Sequence, residues 1–231
     1  MTTRSSNVFA APHSVDVMPD VKAPGMSRDW QIYDPIWKRR LDLALVLMTA
    51  PVSLPLIALG AVLAKLDGGP AFYSQPRVGR HGQVFRMFKL RSMRVNAERH
   101  LSELLMDDPN AAMEWQRSQK LRRDPRITFA GKVLRKLSLD ELPQLWNVVR
   151  GDMSLVGPRP MLQEQAILYP GAAYFRLRPG LTGPWQVFGR NEESFTARAK
   201  YDAMYEREKG LRYDLSLIGR TVGVVLWGTG Q

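Results

Sequence analysis

The sequence predicts an α+β fold: a helix-rich domain with a small β-hairpin, mounted on a proline-broken re-entrant membrane helix. Three observations carry this. Leu43 to Ala64 is a 22-residue stretch without a charge, yet it holds Pro51 and Pro55. One pair of short strand-like segments flanks a glycine-containing turn. Most of the remaining patterned sequence has helical rather than two-residue spacing. The chain has 231 residues, which suits one domain with an appendage. Hydrophobic residues make up 45% and charged residues 24%, so a packed core can form and wholesale disorder is excluded.

Residues 1–37 carry no apolar periodicity and hold Pro12, Pro19, Pro24 and Pro35. This predicts a disordered N-terminal extension, with no apolar stretch of the signal-peptide kind. Residues 38–67 form the membrane segment. A straight helix of 22 residues would be roughly 33 Å long, enough to cross a hydrocarbon core. The two prolines argue against a simple span, because each removes a backbone donor and bends or breaks a helix at roughly 3 kcal/mol. Positive charge also flanks both ends: Arg28, Lys38, Arg39 and Arg40 before, Lys65, Arg77 and Arg80 after. A spanning helix normally carries that charge on one side. The expectation is a bent hairpin with both ends on the cytoplasmic face, its break covered by protein or by Thr49 and Ser53. Arg39 and Asp42, at its mouth, are expected to face the headgroup zone.

Residues 68–231 then read as the catalytic domain. Asp67-Gly68-Gly69-Pro70 is a turn cluster. Residues 71–78 and 83–90 read as the hairpin strands. Residues 95–122, 128–136, 139–149, 195–209 and 213–227 read as helices, the last of them packing or lying on the membrane surface.

Lysine plus arginine is 33 against 22 acids, a net charge of +11, so the expected partner is polyanionic. Residues 77–94 hold six cations and no acid, and residues 117–136 hold eight cations against Asp124. Beside an apolar hairpin, such clusters fit an anionic lipid bilayer at about 1 kcal/mol per well-placed cation. No nucleic-acid-binding module is recognisable, and nucleic acid is not expected as a partner. The chain has no cysteine, which removes disulfides, thiolate zinc sites and a cysteine nucleophile. Its three histidines are too scattered for a histidine-built metal site.

Three segments can carry chemistry. In Ser138-Leu139-Asp140-Glu141-Leu142-Pro143, serine and glutamate have capping-box spacing. Adjacent acids at a helix start commonly serve the macrodipole. Alternatively, Asp140 attacks phosphorus as an ionised carboxylate while its neighbour Glu141 holds Mg²⁺ against diphosphate oxygens. In Gly157-Pro158-Arg159-Pro160, two prolines stiffen the mount of Arg159 for bidentate phosphate contact. Arg178 to Asn191 carries Arg178 and Arg190 near its ends, with Trp185 and Phe188 available to pack on a base or sugar.

The order of these segments resembles the bacterial sugar transferases, the monotopic phosphoglycosyl transferases that start polysaccharide assembly. The resemblance rests on the proline-broken apolar helix and Phe85-Arg86-Met87-Phe88-Lys89-Leu90-Arg91-Ser92-Met93. It continues through Leu134 to Leu145 around Asp140-Glu141, Gly157-Pro158-Arg159-Pro160 and the Arg178-to-Asn191 loop. It covers roughly residues 36–227 and looks closest to the short members that initiate exopolysaccharide synthesis with a hexose-1-phosphate. The resemblance implies a UDP-sugar donor, with galactose or glucose as the leading sugars. It implies undecaprenyl phosphate as acceptor, UMP as product and Mg²⁺ as cofactor. Asp140 would be the nucleophile and Glu141, with Asp140, the metal ligand. Lys89, Arg91, Arg159, Arg178 and Arg190 are the cations assigned to the phosphates. The implied location is the cytoplasmic face of the bacterial inner membrane, with homodimer formation left open. A metal-dependent glycosyltransferase is the main rival enzyme, but no Asp-x-Asp occurs in the chain. A membrane-anchored basic scaffold leaves the acidic pair without a role.

Overall fold

A computed structural model of the chain describes residues 35–118, 121, 123–189 and 195–226, and the structural statements that follow concern these residues. Residues 1–34 of the expected extension, and Arg190, lie outside them.

Helix α1 runs from Pro35 to Leu66 and is 32 residues long, about 48 Å at the α-helical rise. It therefore takes in the last three residues assigned to the extension. Pro51 and Pro55 sit inside this one helix, which continues through both. The Thr49 hydroxyl donates to the carbonyls of Leu45 (2.9 Å) and Val46 (3.2 Å) in the preceding turn. Only 11% of the most apolar window is buried, unlike the core helix of a soluble protein. Leu47, Met48, Val52, Leu54, Leu59 and Val62 are all exposed.

The buried positions of α1 are Asp42, Ser53, Gly60 and Ala64. Gly60 allows a close approach, since a Cβ there would lie 2.5 Å from Leu90 Cδ1 and 3.3 Å from Leu134 Cδ2. Ala64, Ala71, Leu90 and Leu134 form the core cluster beneath it. Both ends of α1 are tied to the same body. Near the N-terminus, Lys38 donates to Asp214 (2.7 Å), and Asp42 accepts from Ser154 Oγ (2.8 Å) and the Leu155 amide (3.2 Å). Arg39 donates to the carbonyls of Val148 and Val149. Asp42 is buried and does not face the headgroups as expected, whereas Arg39 is half-buried on those carbonyls. At the C-terminus, Arg91 donates to the carbonyls of Ala64, Gly68 and Pro70.

Strands β1 (Phe72–Val78) and β2 (Val84–Leu90) pair antiparallel as expected, in register from Phe72 opposite Leu90 to Val78 opposite Val84. The predicted helix over 95–122 is instead two, α2 (Ala97–Asp107) and α3 (Pro109–Ser118). Asp108 takes an extended conformation (φ −121°, ψ 101°), as the residue before a proline tends to. Helix α4 (Phe129–Lys136) is capped by Thr128, whose side chain accepts from the Gly131 amide at 2.9 Å.

Residues 139–149 are not one helix. Leu139–Glu141 form a 3-10 turn, and α5 starts only at Gln144 and ends at Arg150. Sequence reading also missed a parallel strand pair, β3 (Ser154–Val156) with β4 (Gly180–Thr182). Three-residue strands rich in Gly and Ser give no period to read. Two short helices, α6 (Gln163–Ala166) and α7 (Ala173–Arg176), lead to β4. A π-turn (Trp185–Gly189) follows, then a 3-10 turn (Phe195–Ala197) and the helices α8 (Arg198–Glu208) and α9 (Leu211–Leu226). In α9, Asp214 and Leu217 are buried while Leu215 and Val222 are exposed, so the helix packs with one face and presents apolar side chains on another.

Candidate active site

The acidic pair is held by what precedes it. Helix α4 ends at Lys136, and Ser138 turns the chain with a left-handed backbone (φ 53°, ψ 21°). The Ser138 side chain makes no capping bond, so the expected capping box is absent. Leu139 packs on the Ala64–Leu90–Leu134 cluster and anchors the turn. A three-residue 3-10 turn has no macrodipole of consequence, so the helix-start argument for Asp140 is replaced by a local one. Asp140 is 8% exposed.

Electrostatics separates the two acids. Lys89 extends from β2 to place its ammonium 2.8 Å from Glu141 Oε1. Burial alone would raise the Glu141 carboxyl, but Lys89 and then Arg159 outweigh it and hold the group down at about 2. For Asp140, burial wins: its pKa lies above the ordinary value, with Glu141 adding to the rise and Lys89 and Arg135 opposing it. Arg135, on the last turn of α4, donates to Ser92 Oγ at 2.9 Å and adds positive charge beside both acids.

The β3–β4 pair brings the two arginine loops together. Gly157 donates to Thr182 O (2.8 Å), and Gly180 donates to Pro158 O (2.7 Å). Neither glycine has room for a side chain, since a Cβ on Gly157 would lie 2.3 Å from Arg178 O and one on Gly180 would lie 2.1 Å from Gly157 N. The result is a cleft lined by Arg77, Met87, Glu141, Gln144, Arg159, Pro160, Gly180, Leu181 and Gln186. Trp185, which looked exposed from sequence, is half-buried. The guanidiniums of Arg159 (5.9 Å) and Arg198 (5.6 Å) both approach its ring. Arg198 is buried and donates to the Arg159 carbonyl. Asp202 is its nearby counter-charge and accepts from Tyr169 at 2.9 Å.

The sequence-predicted cations therefore divide. Lys89 acts on both acids, and Arg159 acts on Glu141. Arg91 does not, since the carbonyls at the end of α1 engage it. Arg178 lies near Arg80 and is not among the residues lining the cleft. Sequence reading missed Arg77, Arg135, Gln144, Gln186 and Arg198. Arg77 and Arg135 stood inside the two basic runs, and Gln144 stood three residues after Glu141, so those signals were present. Arg198 gave none.

Could the acids hold a metal? Among the described residues no three potential ligands cluster. A hard divalent ion commonly takes one or two carboxylates with substrate phosphates completing its shell. An ionised Glu141 beside Asp140 fits that donor set.

Residues 33–228 match the family model described as bacterial sugar transferase. The chain belongs to the bacterial sugar transferase family. Its relatives in the family include exopolysaccharide production protein ExoY of Sinorhizobium fredii, 44% identical over 199 residues, covering 85% of this chain and 88% of that one. The UDP-galactose-lipid carrier transferase of Erwinia amylovora is 46% identical over 191 residues, covering 82% of this chain and 40% of that one. The undecaprenyl-phosphate galactose phosphotransferase of Salmonella typhimurium is 44% identical with the same coverage. This sugar transferase thus spans about two fifths of the length of the Erwinia and Salmonella proteins.

Proposed function

We propose that this sugar transferase moves a hexose-1-phosphate, galactose or glucose, from a UDP-sugar to undecaprenyl phosphate, the first membrane step of exopolysaccharide synthesis. The names of the Erwinia and Salmonella relatives support the two substrates, and that of the Sinorhizobium relative supports the pathway. The observation that carries the chemistry is Asp140, buried beside the ion-paired Glu141 that lines a cationic cleft.

In the first half-reaction an Asp140 carboxylate oxygen attacks the sugar-bearing phosphorus. The bond from that phosphorus to the bridging oxygen breaks, and UMP leaves with the electron pair. In the second, a phosphate oxygen of the lipid attacks the same phosphorus. The bond to Asp140 breaks and the carboxylate is restored. Lys89 and Arg159 stabilise the equatorial oxygens throughout. Mg²⁺, held by Glu141 and Asp140, would neutralise diphosphate charge.

Helix α1 supports a location on the cytoplasmic face of the inner membrane. Its exposed apolar side chains need lipid, while both of its ends bind one body. Incubation with a UDP-sugar and Mg²⁺ should give a protein carrying one hexosyl phosphate, detectable by intact mass. Asp140→Asn should carry none, and an adduct that survives that change defeats the assignment.

A further inference from the structure

One wall of the cleft has no task in that scheme. Arg77, at the end of β1, donates through Nη1 to Pro160 O (3.3 Å) and through Nη2 to Gln75 Oε1 (2.7 Å). Both acceptors are neutral, and its Nε is buried without a partner. The charged groups acting on it are Arg159 and Arg198, with Tyr174 and Tyr73 as the nearby phenols. The carboxylate that lines the same cleft, Glu141, is already paired with Lys89. Burial, and then Arg159, pull the Arg77 guanidinium down to about 10. Gln144 is 3% exposed, and its Nε2 also has no partner. Two buried donors in one cleft, one of them a cation held by neutral groups, call for a multi-oxygen anion.

We propose that Arg77, with Gln144 beside it, binds the phosphate of the departing nucleotide, Arg77 Nε donating to one of its oxygens. The inference rests on the phosphoglycosyl-transfer reading for the identity of that nucleotide. A lipid phosphate offers the same chemistry, but the layout favours the nucleotide. Helix α1, which enters lipid, packs on α4, α5, β2, β3 and the turn bearing the acids. Gln144 begins α5, whereas Arg77 bonds the Pro160 carbonyl and faces the side of the cleft built from Pro160, β4 and the turn after it. Beside it stands the indole of Trp185, whose Nε1 is likewise buried and unpartnered.

The test titrates UMP, uridine and farnesyl phosphate against the full chain in lipid nanodiscs by calorimetry. Arg77→Gln should weaken UMP about tenfold or more, as loss of a charge-assisted contact does. Uridine and farnesyl phosphate should change less than about twofold. Arg77→Lys, which keeps the charge, should fall between, and Gln144→Ala should weaken UMP alone. Those two variants decide the matter should Arg77→Gln not fold. Unchanged UMP affinity across the set overturns the proposal, as does a loss confined to farnesyl phosphate. Turnover by Asp140→Asn would instead overturn the covalent scheme and leave the Arg77 titrations as they stand, so the two failures are separable.

Discussion

Lys89 is the residue on which the acid chemistry turns. It is the first of the charges lowering both carboxylates, so Lys89→Met should raise both. The acid limb of the kcat/KM profile should then move to higher pH, and activity at neutral pH should fall by about 10²-fold or more. An unmoved limb means that neither acid titrates in turnover. The two acids also contribute to stability with opposite sign. Glu141 titrates at about 2 in the folded chain against an ordinary 4.5, so its contribution is present above 4.5 and is lost as pH falls toward 2. Asp140 is raised, so its contribution is present below its ordinary value and is lost as pH rises through the folded pKa. At neutral pH an ionised Asp140 therefore opposes folding. Asp140→Asn should abolish transfer yet raise Tm, by about 2–4 °C for each kcal/mol recovered. A lower Tm would show that the carboxylate is a structural group.

At the level of elements, the close pairing of β3 with β4 decides whether Arg159 reaches the acids. Gly157→Ala pushes a methyl against the Arg178 carbonyl and must separate the two loops. Such overpacking costs about 1–3 kcal/mol, and here the displacement falls on the cleft. Activity should drop more than stability, read as kcat/KM against Tm. Arg91→Ala should do the reverse, lowering Tm through the released carbonyls at the end of α1 and leaving KM for the UDP-sugar near the parent value. The contrast also marks what was legible in the sequence. The hairpin strands bracket a glycine-containing turn, the apolar helix is long, and the acidic pair sits in a quotable motif, so all three were readable. Arg91 and Arg159 looked alike, because both are cations in basic or stiff segments. Only tertiary packing directs one to backbone carbonyls and the other to the acids. The β3–β4 pair was invisible because its strands are short and its parallel partner lies 24 or more residues away. Pro51 and Pro55 were read as a break from their chemistry alone, whereas the helix runs through both.

For the molecule as a whole, the attachment of α1 constrains its place in the membrane. Lys38 and Ala64 are 26 residues apart, about 39 Å along a straight helix, yet side chains of the same body hold both neighbourhoods. A helix crossing a hydrocarbon core of about 30 Å would put these attachments on opposite sides. The body is rich in cations and buried charge, so we propose that both ends stay on one face. The helix would then lie along the membrane surface or dip into one leaflet with its exposed Leu, Val and Met side chains toward the acyl chains. The chain lacks cysteine, so single introduced thiols report without background. In intact bacteria, Ser14→Cys and Ser102→Cys should both resist an impermeant maleimide, and both should react once the inner membrane is opened. Labelling of Ser14→Cys alone from outside would mean a true span and would break the argument from the attachments. Changing Pro51 and Pro55 together to Ala should leave this pattern intact as long as Lys38–Asp214 and the Arg91 contacts hold. A double proline variant that becomes a span would show instead that the prolines, and not the attachments, set the topology.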